Sequence, residues 1–241
     1  MNAIKIEGLT KQYKDVLAVD NLSLSIENGE LFSLLGVNGA GKTTTIKMLS
    51  CLTEATSGDA YLLEKSIRDN ASEVKSFIAV SPQETAVARG LSVRENLELI
   101  CGIYGFTKEK RNQKIKELTD LLGLQSVMDK RASKLSGGYA RRLSIAMALI
   151  SEPQILFLDE PTLGLDVIAR SELWDIIRAL KGRVTIILTT HYMEEAEALS
   201  DRIAIMKDGK LLMCDTPESI KSQTNEDSIE KAFIKIVRGG K

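Results

Sequence analysis

The sequence has 241 residues, of which 44% are hydrophobic and 27% charged, and its 32 basic and 33 acidic side chains give a formal net charge of −1 at pH 7. These values are typical of a globular protein and exclude a strongly basic chain built to bind nucleic acid. No apolar run approaches the roughly 20 residues that a transmembrane helix needs, so we expect any membrane role to require another chain.

Alternating apolar and polar residues near the start of the chain predict antiparallel β-strands. Leu22, Leu24 and Ile26 show this alternation, which places every second side chain on one face of a strand. The segment ELFSLLG (30–36) predicts a buried strand that leads into a glycine loop and a helix from Lys42. Further short apolar strands are predicted at 77–80, 155–158, 184–188 and 203–206.

Helical segments that alternate with these strands predict an α/β fold. Helices are expected at 169–181 and 193–199, and this alternation is typical of a mixed, largely parallel core sheet with helices on both faces. The stretch from Ser92 to Leu149 reads as helical. We therefore predict an inserted helical subdomain at about 85–150, beside an N-terminal antiparallel β subdomain.

The end of the chain predicts a docked helix. Ile229, Phe233 and Val237 share one face of an amphipathic helix. We therefore predict one main domain over residues 1–235, with a short C-terminal helix and a flexible tail at 225–241.

The segment GVNGAGKTT matches the pattern G-x-x-x-x-G-K-[ST] between a predicted strand and a predicted helix, which is the context of a phosphate-binding loop. Its glycines let backbone N–H groups approach phosphates closely. Lys42 is expected to reach the β- and γ-phosphates, and the Thr43 hydroxyl to bind Mg²⁺. The alternative is a glycine-rich turn with a solvated lysine. The candidate ATP-binding residues of this loop are Gly36, Val37, Asn38, Gly39, Ala40, Gly41, Lys42, Thr43 and Thr44.

The segment ILFLDE (155–160) predicts a second buried strand that ends in two carboxylates. Asp159 suits the outer shell of a Mg²⁺ ion, and Glu160 suits a general base that holds the attacking water. Adjacent side chains leave a strand end in different directions, so separate roles are geometrically reasonable. The alternative is that both carboxylates only terminate the strand.

His191 is the only histidine in the chain. It follows the predicted strand VTIILTT, whose carboxyl end should lie on the ligand side of the sheet, as should the end that carries Glu160. We treat His191 as a candidate catalytic residue, although a single histidine is often structural.

A second helix start with anion-binding features occurs at KLSGGY (134–139). Ser136 can cap a helix here, and Gly137 and Gly138 leave its first backbone N–H groups open. Unpaired amides and the helix dipole both favour a negatively charged ligand. A capped helix without a ligand is the alternative, and a second anion site in one domain requires an explanation.

With these motifs in order, the chain resembles the ATP-binding subunits of ABC transporters over nearly its whole length. LSGG, which lies between the phosphate-binding loop and the ILFLDE strand, is the most specific marker, because other phosphate-loop families lack it. The resemblance implies a P-loop NTPase fold of ABC type and a Mg²⁺-dependent ATPase that binds ATP and Mg²⁺. The matching positions are Tyr13, the Walker A loop at 36–44, Gln83 in SPQ, LSGGY at 135–139, the Walker B strand at 155–160, PTLGLD at 161–166 and His191.

The resemblance also implies a role for each position. Tyr13 would stack on adenine, Gln83 would contact Mg²⁺ and the attacking water, and His191 would touch the γ-phosphate. An ordinary strand aromatic and a simple turn residue are the alternatives for Tyr13 and Gln83. The implied catalytic residues are Glu160, His191, Gln83 and Lys42, and the implied metal ligands are Thr43, Gln83 and Asp159.

In this family two subunits pack head to tail, and each LSGG helix completes the nucleotide site of the other subunit. That arrangement would explain the second anion-binding helix start. Asp166 is expected at the subunit interface, although it could equally be only the N-cap of the following helix. The signature residues expected to act in trans are Leu135, Ser136, Gly137, Gly138 and Tyr139, and the D-loop residues are Gly164, Leu165 and Asp166.

Two positions depart from the common family pattern. Tyr139 stands where many relatives have Gln, Met or Glu, and Val167 stands where many have Pro. Neither change removes a phosphate or metal contact. The HYMEEAEALSDRIAIMKDGKLL stretch and the short tail look most like bacterial ABC-2-type exporters.

The function implied is ATP hydrolysis that drives export through a separate transmembrane permease. The expected partners are that permease and a second copy of the chain or a homologous ATPase subunit, and no nucleic acid. Such a subunit would lie peripherally on the cytoplasmic face of the cell membrane. The alternative is a soluble ABC-type ATPase switch in translation or DNA repair, a class that usually carries two ATPase domains or long coiled-coil insertions.

Overall fold

The computed structural model describes residues 1–239, so the last two residues of the predicted flexible tail lie outside it. Within this range, no helix has the length and apolar character needed to cross a bilayer. The strands are β1 (Asn2–Tyr13), β2 (Val16–Glu27), β3 (Leu31–Leu35), β4 (Ser57–Leu62), β5 (Lys65–Ser66), β6 (Ile78–Ser81), β7 (Ile155–Asp159), β8 (Thr185–Thr190), β9 (Arg202–Lys207) and β10 (Lys210–Asp215). The α-helices are α1 (Lys42–Leu49), α2 (Ala71–Phe77), α3 (Val93–Ile103), α4 (Lys108–Leu122), α5 (Gly137–Leu149), α6 (Val167–Leu180), α7 (Met193–Leu199), α8 (Pro217–Thr224) and α9 (Ile229–Gly239).

The larger sheet has the strand order β10-β9-β3-β8-β7-β6, and only β9 and β10 pair antiparallel. Strands β3, β7 and β8 are buried along their whole length, as expected for parallel strands covered on both faces. Leu35 pairs with Thr190, and Asp159 pairs with Thr189. The predicted mixed, largely parallel core sheet is therefore confirmed, and three of its strands end side by side.

Alternate residues of the central strands pack into two separate cores. Leu156 and Leu158 of β7 pack with apolar residues of α3, α4, α5 and α6. Ile155 and Phe157 of the same strand pack with α1 and with strands β1, β2 and β4. Successive side chains of a strand point to opposite faces of the sheet, so the two cores lie on opposite faces. The helical block therefore covers one face of the sheet.

The smaller sheet is antiparallel, with the order β2-β1-β4-β5, as the alternation in the first thirty residues predicts. Arg202 on β9 joins this sheet to the larger one. Its guanidinium donates to the carbonyl oxygen of Ser25 at 3.0 Å and lies 5.6 Å from the centre of the Phe32 ring. The second half of β2 is thereby held beside the amino end of β3.

Helix α9 docks as its apolar face predicts. Ile229 and Phe233 are buried against a small core that includes Leu35 at the end of β3. Glu197 on α7 accepts a hydrogen bond from the Ile229 backbone N–H at 3.3 Å and pairs with Lys221 on α8 at 2.7 Å. The two C-terminal helices therefore support α7, the helix that follows the only histidine.

Candidate functional site

A cleft of about 730 Å³ opens at the carboxyl ends of β3, β7 and β8. This is the edge at which ligands bind in open α/β sheets. The structure brings candidate residues from five separate segments of the chain to this cleft. The predicted site residues that line it are Tyr13, Asn38, Gly39, Ala40, Gly41, Lys42, Thr43, Thr44, Gln83, Glu160 and His191.

Two glycines let the phosphate-binding loop pass close to neighbouring backbone. A Cβ atom on Gly41 would lie 2.5 Å from the carbonyl oxygen of Ala18, and one on Gly36 would lie 2.6 Å from that of Met206. Gly41 also has a φ of +99°, a conformation that favours glycine. The loop turns directly into α1, whose first backbone N–H groups have no partners within the helix. A helix start of this kind binds anions.

The Lys42 ammonium lies under the loop. Its Nζ donates to the carbonyl oxygens of Gly36 at 2.8 Å and Val37 at 3.3 Å, and it is 3.2 Å from Glu160 Oε1. The Lys42 and Glu160 side chains are only 5% and 7% exposed. Charges at this depth need partners, because burial removes most of their hydration. Phosphate oxygens could replace the two carbonyls as acceptors for the ammonium.

Asp159 at the end of β7 accepts hydrogen bonds from two hydroxyls. Thr43 Oγ1 donates to Asp159 Oδ1 at 3.1 Å, and Thr189 Oγ1 donates to the same oxygen at 2.5 Å. Thr43 and Asp159 therefore present a hydroxyl and a carboxylate side by side, and the Gln83 side chain lines the same cleft. This donor set fits Mg²⁺, which prefers oxygen ligands and retains several waters.

Glu160 lies between Lys42 and His191. Its Oε2 atom is 2.7 Å from His191 Nδ1, while Oε1 faces the lysine. Glu160 has a φ of +48°, a left-handed conformation that costs a non-glycine residue free energy. The backbone N–H of Glu160 donates to Thr189 Oγ1 at 3.0 Å, which holds this turn in place. Thr189 was not predicted as a site residue, because its only signal in the sequence is its place at the end of a predicted strand.

Tyr13 ends β1 and lines the same cleft. Its side chain is partly exposed, and the Lys11 ammonium lies 4.9 Å from the ring centre. Val16 and Leu17, at the start of β2, are also exposed and line the cleft beside it. An exposed aromatic ring with apolar neighbours is a suitable surface for a flat heteroaromatic ligand. Tyr13 is a predicted site residue, whereas Val16 and Leu17 were not predicted.

The helix start at LSGGY has the geometry that the sequence predicts. Ser136 Oγ accepts from the Tyr139 backbone N–H at 3.5 Å, and Ser136 and Gly137 are exposed. Gly138 is buried, and a Cβ atom on it would lie 3.0 Å from the Cβ of Ala169 on α6. Gly138 therefore has a packing reason to be glycine as well as an open backbone.

The two anion-binding helix starts do not meet within one chain. In the part of the chain that the structure describes, none of residues 135–139 lines the cleft at the phosphate-binding loop. The D-loop lies next to the signature, because a Cβ atom on Gly137 would lie 3.3 Å from Leu165 Cδ2. Gly164 has a φ of +75°, and Asp166 Oδ1 accepts from the N–H of Ala169 at 2.9 Å. Asp166 is thus the N-cap of α6. This is one of the two roles expected for it, the other being a place at the subunit interface.

Arg141, which sequence analysis did not identify, joins the signature helix to the segment that carries Gln83. It lies in the second turn of α5 and is 4% exposed. Its Nη1 donates to the carbonyl oxygen of Pro82 at 2.6 Å, and its Nη2 donates to that of Gln83 at 2.5 Å. Burial lowers the pKa of the guanidinium, and the carboxylates of Asp159 and Glu195 oppose this shift. The group stays charged because the ordinary pKa of arginine is far above neutrality.

Comparison with known proteins identifies the relatives of this chain. The family model described as ABC transporter matches residues 19–163. The daunorubicin/doxorubicin resistance ATP-binding protein DrrA of Streptomyces peucetius is 39% identical over 221 residues, which cover 91% of this chain and 67% of that protein. The "Probable multidrug ABC transporter ATP-binding protein YbhF" of Escherichia coli is 37% identical over 97% of this chain but only 41% of that protein. The chain thus spans less than half the length of this second relative.

A solved structure shares the fold. It is cbiO1 from Clostridium perfringens, described as part of the ABC transporter complex cbiONQ. It is 25% identical in sequence and superposes with a TM-score of 0.84 over 92% of this chain and 91% of that chain. The P-loop fold of ABC type that the motifs predict is therefore confirmed.

Replacing Arg141 with methionine should loosen the segment that carries Gln83. Two backbone carbonyls would lose charged donors, and a hydrogen bond to a charged group contributes about 1.5–3 kcal/mol. We expect faster amide hydrogen exchange at residues 83–91, measured by mass spectrometry. Arg142→Met is the control, because Arg142 pairs with Glu172 instead. Unchanged exchange at 83–91 in the Arg141 variant would contradict this link.

Proposed function

The chain belongs to the ABC transporter family of ATP-binding proteins, and we propose that it hydrolyses ATP to drive a separate membrane permease of the exporter type. The observation that carries the proposal is the cluster of Lys42, Glu160 and His191 at the phosphate-binding loop, in which Lys42 and Glu160 are buried. The cluster offers a cation for phosphate oxygens and a carboxylate for the attacking water. These are the two charges that protein side chains contribute to phosphoryl transfer to water.

ATP binding would use both sides of the cleft. Tyr13 offers its exposed ring to adenine, with Val16 and Leu17 beside it. Lys42 exchanges the loop carbonyls for β- and γ-phosphate oxygens, and the first amides of α1 donate to the phosphates. The binding energy then comes from charge-assisted hydrogen bonds made in a largely buried site.

Hydrolysis would depend on Glu160 as the general base. Its carboxylate would accept a proton from the attacking water. His191 Nδ1 contacts Oε2, and the second ring nitrogen would donate to the γ-phosphate when the imidazole is protonated at both nitrogens. Mg²⁺ bound by Thr43, Asp159 and Gln83 would supply further positive charge against the phosphates. The strained backbone at Glu160 fixes the carboxylate in the cleft before ATP arrives.

The signature residues are assigned to the ATP of a second chain. Ser136 and Gly137 are exposed at an anion-binding helix start that does not line their own cleft. Val167 and Ile168, directly after the D-loop, are 72% and 73% exposed. Adjacent apolar residues this exposed indicate a protein interface. Head-to-tail packing of two chains would cover them and bring each signature helix to the partner's nucleotide.

A second groove, of about 450 Å³, is assigned to the permease. It lies between the helical block and the β6 end of the sheet, and it includes the exposed side chains of Leu52, Ile103 and Tyr104. Its occupant would be a short amphipathic helix on the cytoplasmic side of the membrane subunit, because the groove is mostly apolar and adjoins Pro82. Arg141, on the signature helix α5, contacts the Pro82 carbonyl oxygen beside this groove.

The names of relatives support export as the direction of transport. DrrA is named for drug resistance and YbhF for multidrug transport. The chain would accordingly lie on the cytoplasmic face of the cell membrane, held there by the permease. The permease, rather than this chain, would select the substrate.

Replacing Glu160 with glutamine should stop ATP turnover without preventing ATP binding. The amide keeps the shape of the carboxylate but cannot accept a proton, and loss of a general base lowers a rate by about 10²–10⁴-fold. Phosphate release and equilibrium binding of Mg-ATP measure the two effects. Lys42→Ala is the contrasting variant, because it should weaken binding itself. Normal turnover by the Glu160 variant would refute its role.

Mixing two damaged chains tests the signature in trans. Lys42→Ala and Ser136→Asp homodimers should each trap little ATP, because every site contains one defect. A heterodimer has one intact site, so it should trap about one nucleotide per dimer, measured after isolation through two different affinity tags. Ser136→Asn is the matched control. Aspartate and asparagine both stabilise a helix N-cap, but only aspartate adds negative charge. If isolated heterodimers trap no more ATP than the parents, the trans assignment fails.

Introducing charge into the groove should detach the chain from the membrane. Ile103→Asp combined with Tyr104→Asp places two carboxylates at exposed apolar positions, so the fold and ATP binding should persist while the permease helix is repelled. Fractionation of cells that express the chain with its permease measures attachment. Leu212→Asp, at another exposed apolar position, is the control. Membrane attachment that survives the double change would exclude this groove.

A further inference from the structure

An aromatic ring that the proposed mechanism does not use lies against the candidate catalytic histidine. The rings of His191 and Tyr192 have their centres 4.1 Å apart, at an angle of 39°. The Tyr192 backbone N–H donates to Thr190 Oγ1 at 2.9 Å, which ties the residue to the end of β8. The imidazole is therefore held on one side by Glu160 and on the other by the tyrosine ring.

Tyr192 is held in turn by α6. The Arg170 guanidinium lies 5.6 Å from the centre of the Tyr192 ring and 5.7 Å from that of Trp174. Both distances are within the range of cation–π attraction. Trp174 is fixed by its own hydrogen bond, because its Nε1 donates to Glu195 Oε1 on α7 at 3.1 Å. Arg170 thus contacts one aromatic ring of its own helix and one at the N-cap of α7.

The position of Tyr192 in the chain argues that its ring has a purpose other than starting a helix. It occupies the N-cap of α7, where no side-chain hydrogen bond caps the helix. Ser, Thr, Asp and Asn are the residues that stabilise this position, and tyrosine cannot replace their acceptor. The ring contacts with His191 and Arg170 are what the side chain contributes instead.

We propose that Tyr192 and Arg170 are positioning residues for His191. Through them, the position of helix α6 determines whether the imidazole contacts Glu160. The inference rests on the proposed ATPase function of the cluster. Helix α6 begins directly after Asp166 with the exposed pair Val167 and Ile168. A surface that a second chain would cover is therefore joined, through one turn of helix and two ring contacts, to the catalytic histidine.

The chain's only histidine makes this arrangement directly measurable. In protein without a histidine tag, NMR of labelled histidine reports the His191 imidazole alone. Tyr192→Leu should shift its ring signals, because the ring current of the tyrosine is lost. Arg170→Met should shift them in the same direction by a smaller amount, whereas Arg178→Met, which removes an exposed arginine of the same helix paired with Asp175, should not.

Kinetics test whether the ring contacts act through the histidine. Tyr192→Leu should lower kcat about three- to tenfold, the equivalent of one aromatic contact, with ATP affinity unchanged. Tyr192→Phe, which keeps the ring, should restore the rate. In a His191→Ala background, Tyr192→Leu should cause no further loss, whereas a merely structural role would lower the rate again.

The outcomes separate this inference from the proposed function. If Arg170→Met leaves the His191 signals unchanged, or if Tyr192→Leu and His191→Ala lower the rate additively, the positioning roles are wrong even though ATP is hydrolysed. If His191→Ala hydrolyses ATP at the normal rate, the catalytic role of His191 fails, and with it the reason for positioning the ring. Shifted signals together with a non-additive loss support the inference.

Discussion

The shared end of three buried parallel strands is the constraint on which the candidate site depends. β3 leads into the phosphate-binding loop, β7 into Glu160 and β8 into His191. Backbone pairing places these ends level with one another, and a shift of one residue would turn each side chain to the opposite face. Because both faces of these strands are buried, the two apolar cores set the register, and the polar residues of the site follow from it.

Buried charge at this edge is stable because each charged group has a partner. Lys42, Glu160 and His191 form a connected series, and Thr43 and Thr189 supply hydroxyls to Asp159. Removing one member of a buried ion pair typically costs about 3–5 kcal/mol, because the other charge is left without compensation. A nucleotide would therefore bind by exchanging partners within a formed site, which limits the reorganisation needed before chemistry.

Two helices connect this site to the surfaces at which partners are proposed to bind. On α5, Arg141 contacts the carbonyls of Pro82 and Gln83, so one side chain touches the segment between the groove proposed for the permease and the cleft. On α6, Arg170 reaches Tyr192 beside the histidine. Both connections rely on a guanidinium group, whose planar shape and permanent charge suit carbonyl oxygens and aromatic rings alike. In each case a helix that starts at a candidate dimer surface is tied to a residue of the candidate nucleotide site.

The sequence by itself determined the central strands and the loops that carry the motif residues, because turns, helix caps and buried strands depend on neighbours in the chain. GVNGAGKTT, ILFLDE and LSGGY could each be interpreted from their own glycines, apolar runs and polar ends. Only the tertiary structure decided which of these residues meet. Thr43 and Asp159 are 116 residues apart, and Arg141 is 59 residues from Pro82. The apposition of Tyr192 and Arg170, and the separation of LSGGY from its own chain's cleft, likewise depend on how whole helices pack against the sheet. Strand register and helix packing set such contacts through many residues at once, so no short pattern in the sequence specifies them.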